Sequence, residues 1–189
     1  MYKRALCFFG LLLCAVIVLC ACDKEEVPAT SIDASATADI IEYTKSHMGL
    51  TLSVYVPEKV AHGEKFPVVA RITNGSDKSI TYTRSATGEN MHFEIETVII
   101  GSDSKKFIDC DTIGKPFLDV ASGGTLKPGK SFEQHMIFLP GWTEDWSAPL
   151  NQAKITMLER GTYTGSADFR WDTDSGTESV SLKFSITVY

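Results

Sequence analysis

From Leu50 onward the apolar residues recur at every second position, and that period admits half-buried strands rather than helices. Leu50, Leu52, Val54 and Val56 alternate with Thr51, Ser53 and Tyr55 until Pro57 ends the run. Phe66, Val68, Ala70 and Ile72 share one face, Ile80 to Thr83 resume the pattern, and Phe93, Ile95, Thr97 and Ile99 follow Met91 in the same parity. Phe132, Gln134, Met136 and Phe138 alternate with Glu133, His135, Ile137 and Leu139. Tyr163 to Trp171 and then Val180, Leu182, Phe184, Ile186 and Val188 close the chain. Between these runs stand turn signals: His62-Gly63-Glu64, Asn74-Gly75-Ser76-Asp77, Gly88-Glu89-Asn90, Gly101-Ser102-Asp103-Ser104 and Leu126-Lys127-Pro128-Gly129. Gly and Asn tolerate positive φ there, and Pro presets its own φ.

No long helical stretch interrupts the series. The pattern predicts an all-β fold, an immunoglobulin-like antiparallel β-sandwich of about eight strands over residues 47–189, with a closed barrel as the other architecture it allows. Two connections, Asp111–Thr125 and Pro140–Leu158, are long enough to cross between sheets or to cap an end.

The first 22 residues belong to another phase. Lys3 and Arg4 precede an apolar run from Ala5 to Leu19, too short for a spanning helix of about 20 residues but right for a secretory signal. Leu19-Cys20-Ala21-Cys22 then meets Asp23-Lys24-Glu25-Glu26. This tetrapeptide resembles the lipobox of bacterial lipoproteins, although Cys20 stands where Ser or Ala is commoner. The resemblance implies cleavage before Cys22 and a diacylglycerol on its thiol, hence attachment to a membrane on its extracytoplasmic side. It also implies several acyl chains, since one chain anchors only marginally. Asp23 resembles an inner-membrane retention signal of some two-membrane bacteria. Residues 1–21 are therefore expected to be a signal peptide and residues 22–46 a flexible tether. The segment is rich in Ala, Ser, Thr, Asp and Glu and poor in large apolar groups, and its span as a flexible chain is about 25 Å. Ile40, Ile41 and Tyr43 hint at a helical turn or a docked strand at its end.

Of the five cysteines only Cys110 falls in the strand-rich region, so that region is expected to stand without a disulfide and Cys110 to be a small buried apolar group. The chain carries 18 basic against 24 acidic residues, and loses two of the basic ones with the leader. That balance argues against a nucleic-acid partner, whose phosphates call for a basic face.

Catalytic patterns are sparse. Ser102-Asp103-Ser104-Lys105 matches SxxK but lies in a turn, where no helix brings Lys onto Ser. His92 and His135 could share a metal with Glu94 or Glu133 only if their strands were neighbours, and surface histidines are the expectation. Asp172 to Glu178 is acidic like a calcium loop but is expected to be a hairpin turn, since its glycine is misplaced for that role. We expect no catalytic residues, no metal and no cofactor. The exception to the strand pattern is Pro140-Gly141-Trp142-Thr143-Glu144-Asp145-Trp146-Ser147-Ala148-Pro149. Trp142 and Trp146, with Glu144 and Asp145 between them and proline at both ends, make a candidate binding loop; the competing expectation is that the rings cap the core.

Asn74 to Thr81, Gly88 to Glu94, Leu126 to Ser131 and Gly161 to Thr164 together resemble the turns of the bacterial intracellular proteinase inhibitor family, which is immunoglobulin-like. The resemblance supports the fold and brings no inhibitory residues with it, and the leader and Pro140–Leu158 depart from it. The resulting expectation is a lipid-anchored cell-envelope β-sandwich module with a binding or structural role, its partner a protein or an envelope polymer. The alternative is an inhibitor or regulator of an extracytoplasmic protease.

Overall fold

In the computed structural model the alternating runs become two facing sheets. It describes residues 39–87, 92–93, 95–100, 105–115, 117–118 and 120–189, so Cys22 and the expected signal peptide lie outside the described residues. In chain order the strands are β1 (Ile40–His47), β2 (Leu50–Pro57), β3 (Lys59–Val60), β4 (Phe66–Asn74), β5 (Ile80–Thr87), β6 (His92–Phe93), β7 (Ile95–Ile100) and β8 (Ile108–Asp109). They continue with β9 (Phe117–Leu118), β10 (Val120–Leu126), β11 (Ser131–Leu139), β12 (Gly141–Trp142), β13 (Thr156–Met157), β14 (Gly161–Thr173) and β15 (Gly176–Val188). One sheet has the order β1-β2-β4-β11-β8, the other β10-β5-β14-β15-β3, and β7 joins β14 beyond the end of β5. Pairing is antiparallel except for β3, which runs parallel to the end of β15.

The sandwich core follows from the period of two. Leu50, Leu52, Val54, Val68, Ala70 and Ile72 from one sheet meet Ala167, Phe169, Trp171, Phe184 and Ile186 from the other, all 2% exposed or less. Each large side chain so buried contributes about 1.5–3 kcal/mol of transfer free energy. Aromatic pairs reinforce each sheet from within, with Phe66 against Phe138 at 6.2 Å in the first and Tyr82 against Phe169 at 5.6 Å in the second.

Two boundaries differ from expectation. The tether does not run to residue 46: Ile40–His47 pairs along its whole length with β2, and Tyr43 packs on Phe184 with ring centroids 6.2 Å apart. The docked-strand hint was the right one. Its polar parity hid it, because β1 is an edge strand whose outer positions face water. The hairpin to β2 closes through Met48 and Gly49, both at positive φ (49° and 81°), as a two-residue primed turn requires. The second difference is the connection expected over Asp111–Thr125, whose end forms β10 and pairs with seven residues of β5. Glycine is disfavoured inside a strand. Gly124 instead leaves room for the Tyr82 ring, whose Cζ would lie 2.5 Å from a Cβ at that position.

Asn74 locks the turns at one end. It is fully buried, and its Nδ2 donates to the carbonyls of Lys78 (2.8 Å) and Leu126 (2.9 Å). Its Oδ1 accepts from Ser76 N (3.0 Å) and Ser76 Oγ (2.7 Å). Gly129, at φ 69° in the Lys127–Lys130 turn, donates to the Asn74 carbonyl at 2.7 Å.

The registers also fix which segments share an end. Ile40 lies opposite Pro57, Phe66 opposite Phe138, and Gly161 opposite Val188, which runs beside Val60. The chain therefore enters the sandwich at the same end from which β11 leaves into the 140–158 connection. Met48-Gly49, the Asn74 turn, the Lys127–Lys130 turn and the β14–β15 hairpin occupy the opposite end.

Candidate functional site

The 140–158 connection is built, not loose. Gly141 and Trp142 pair with Met157 and Thr156, and Leu158 N donates to the Pro140 carbonyl at 3.0 Å, so both ends of the loop are clamped as a ribbon. Within it, Thr143 is buried and its Oγ1 accepts from Asp145 N at 3.2 Å. Asp145 Oδ1 in turn accepts from Ser147 Oγ (2.6 Å) and Ser147 N (3.0 Å). These bonds hold the Asp145 carboxyl below its usual range and make a self-contained turn of the kind short polar side chains favour. The Pro149 carbonyl accepts from Gln152 N and Ala153 N, adding one helical turn.

Beneath the loop lies a second, smaller apolar cluster of Ile108, Ile113 and Leu139, flanked by Cys110, Leu150, Ala153 and Ile155. Gly114 makes the contact possible. It sits at φ 74°, a Cβ would lie 2.5 Å from Pro149 Cα, and its N–H donates to the Trp146 carbonyl at 3.0 Å. Cys110 is half-buried here, and burial pushes its thiol pKa up, which suits an apolar filler better than a nucleophile. Asp109 beside it is also raised, by burial first, although Asp111 N donates to its Oδ1 at 2.9 Å.

The four candidate residues of the loop divide into two kinds. Trp142 is half-buried against the main core, with Lys105 Nζ 4.0 Å from its ring centroid, so it caps the sandwich. Asp145 is engaged in shaping the turn. Trp146 is 40% exposed and Glu144 is exposed, leaving these two to face outward.

Other sequence candidates come apart. His92 lies on β6 and His135 on β11, strands of different sheets, so they are not the neighbours a shared metal needs. His135 instead stands 3.4 Å from Glu133, which accepts from Arg71 Nε at 2.5 Å. Among the described residues no three His, Cys, Asp or Glu side chains gather to hold a metal. Ser102 to Ser104 of the SxxK match lie outside the described residues, as do Glu94 and the side chain of His92. Residues 172–178 form the β14–β15 hairpin turn as expected, with Gly176 at φ 134°.

Sequence reasoning did not foresee the polar ladder on the outer face of the first sheet. Tyr55 OH donates to Glu42 Oε1 (2.9 Å), Arg71 Nη1 donates to Tyr55 OH (3.3 Å), and Arg71 pairs with Glu133. The Arg71 bond holds the Glu133 carboxyl below its usual value. These residues occupy polar parity on four adjacent strands, and cross-strand register alone brings them together. A shallow depression of about 470 Å³ lies on the outer face of the other sheet. The small Thr162, Thr164 and Ser166 of β14 form its floor between Val98 and Ile100 on one side and Lys183 on the other.

No family model and no curated protein matches the chain. Among solved structures it is similar to a mutant β-glucosidase from Listeria innocua in complex with laminaribiose, at 13% identity and a TM-score of 0.39. That likeness covers 78% of this chain and 16% of the other, so the chain spans a small part of the enzyme's length. It is also similar to AggA, the major subunit of aggregative adherence fimbriae type I from Escherichia coli, at 14% identity and a TM-score of 0.33, covering 74% of this chain and 92% of that one. The CooA pilin subunit from enterotoxigenic Escherichia coli follows at 10% identity and a TM-score of 0.28, covering 70% and 90%.

Proposed function

We propose that this chain is a lipid-anchored β-sandwich module of the cell envelope, held on the extracytoplasmic side by a lipid on Cys22, and that it makes contact through the 140–158 loop. The lipobox-like Leu19–Cys22 supports the anchor. The observation that carries the contact surface is Trp146, a large indole left 40% exposed on a loop that hydrogen bonds and the cluster beneath it hold in one shape. A surface aromatic fixed in advance loses little entropy on binding, which is why such residues dominate contact energies.

The anchor is tested by Cys22→Ser, which should block processing and move the protein from the detergent phase to the aqueous phase. Unchanged partitioning would refute it. The division of labour in the loop is tested by stability. Trp142→Ala should cost on the order of 2 kcal/mol, because a half-buried indole loses part of its packing. Trp146→Ala should cost under about 0.5 kcal/mol, as for an exposed position. A Trp146 cost equal to that of Trp142 would make both rings structural and remove the contact surface.

A further inference from the structure

The exposed apolar side chains are not spread evenly. Among the described residues, Ile40 (57%), Ile100 (40%), Met157 (38%) and Tyr189 (57%) are large, apolar and exposed toward the chain-entry end, Trp146 (40%) is carried on the loop that leaves β11 at that end, and Met48 stands alone at the opposite end. Their shared placement follows from register. Ile40 opens β1, and Ile100 closes β7 opposite Thr164, near the start of β14. Met157 pairs with Gly141 just past β11, and Tyr189 N donates to the Val60 carbonyl.

We infer that this end of the sandwich docks on the lipid bilayer that holds Cys22, seating Trp146, Met157, Ile40 and Tyr189 at the membrane–water boundary. The inference rests on the anchor proposed above. Chain connectivity selects the occupant: about 17 residues separate Cys22 from Ile40, and the tether expected from their composition would span roughly 20–25 Å. β14 and β15, at thirteen residues each, make the sandwich about 40 Å long. An apolar rim at the far end would stand beyond easy reach of the membrane, whereas this one begins at Ile40, where the anchored chain arrives. Trp and Tyr suit that boundary because each joins an apolar ring to a polar tip. The sequence neighbours Glu58-Lys59, Glu64-Lys65 and Glu159-Arg160, all exposed, set opposite charges side by side at this end, and Lys105 and Lys106, the latter bridged to Ile100, are matched in number by Asp39 and Glu144. Docking is therefore apolar in origin and indifferent to anionic lipid. Tethering makes even weak docking effective, because the anchored domain meets the surface at a high effective concentration.

The experiment uses the full lipidated protein in vesicles of phosphatidylethanolamine and phosphatidylglycerol, with and without bromine on the acyl chains, which quenches only tryptophans in contact with lipid. Flotation with the vesicles reads the anchor separately. Quenching of a substantial share of the emission is expected, disappearing in Trp146→Phe and persisting when phosphatidylglycerol is replaced by phosphatidylcholine. Ile40→Glu, on a strand far from the loop, should weaken Trp146 quenching at least twofold, as end-on docking demands. Failure to float would sink the anchor; flotation with unquenched Trp146 would overturn the docking alone. Unchanged quenching in Ile40→Glu would overturn the end-on arrangement.

Discussion

Replacing Asn74 by Ala is the sharpest test of what joins the two sheets. Its amide is fully buried and takes part in four hydrogen bonds of 2.7–3.0 Å, to the carbonyls of Lys78 and Leu126 and from the amide and hydroxyl of Ser76. A net hydrogen bond is worth about 1 kcal/mol, and a buried group stripped of its partner costs about 1–3 kcal/mol. The bonds to Ser76 are partly accessible and recoverable by water, whereas the Leu126 carbonyl is buried with Asn74. Counting about 1 kcal/mol for each carbonyl and 1–2 for the Ser76 pair gives a loss of about 3–4 kcal/mol. For a domain of this size that lowers Tm by about 10 °C. Urea denaturation of wild type and Asn74→Ala, followed by tryptophan emission from the buried Trp171, measures it directly. Ser46→Ala is the control: its hydroxyl makes an equally short 2.9 Å bond to Thr51, but on the exposed face, and should cost under 0.5 kcal/mol. If Asn74→Ala lost less than 1 kcal/mol, or no more than the control, the claim that burial gives these bonds their weight would be wrong.

Two further expectations follow from packing and charge. Gly165→Ala places a methyl group inside the Phe184 ring in the centre of the core, so it should cost about 1–3 kcal/mol in a denaturation midpoint; a neutral result would show that the Phe184 ring moves aside freely. Asp109 has a raised pKa in the folded chain through burial, so the folded state binds its proton more tightly and stability from this group falls as pH rises above 3.8 through the raised value. Asp109→Asn should therefore be more stable than wild type at pH 7, the gap closing below pH 4 in thermal melts. Glu133 has the opposite sign: Arg71 lowers its pKa, so its contribution is present above about pH 4.5 and lost as pH falls through the lowered value, and Arg71→Gln should flatten that part of the profile.

The sequence by itself determined the strands, because a period of two in Leu50–Val56, Phe66–Ile72 and Val180–Val188 can bury one face and wet the other in no other regular structure. It determined the turns at Gly63, Gly129 and Gly176 too, whose positive φ needs glycine wherever the chain goes. What it could not determine were contacts made across the fold. β1 is mostly polar and becomes a strand through its ladder with β2. Gly123 and Gly124 belong to a strand because β5 pairs with them and Tyr82 covers Gly124. Asn74 reads as one more turn residue until the Leu126 carbonyl, 52 positions away, meets its amide. The tryptophan loop shows the same limit most clearly. Trp142 and Trp146 are equivalent in the sequence, four residues apart, and only the tertiary structure seats one against the core and leaves the other exposed. Local geometry is a property of neighbouring residues, but burial is decided by segments that sequence order keeps apart.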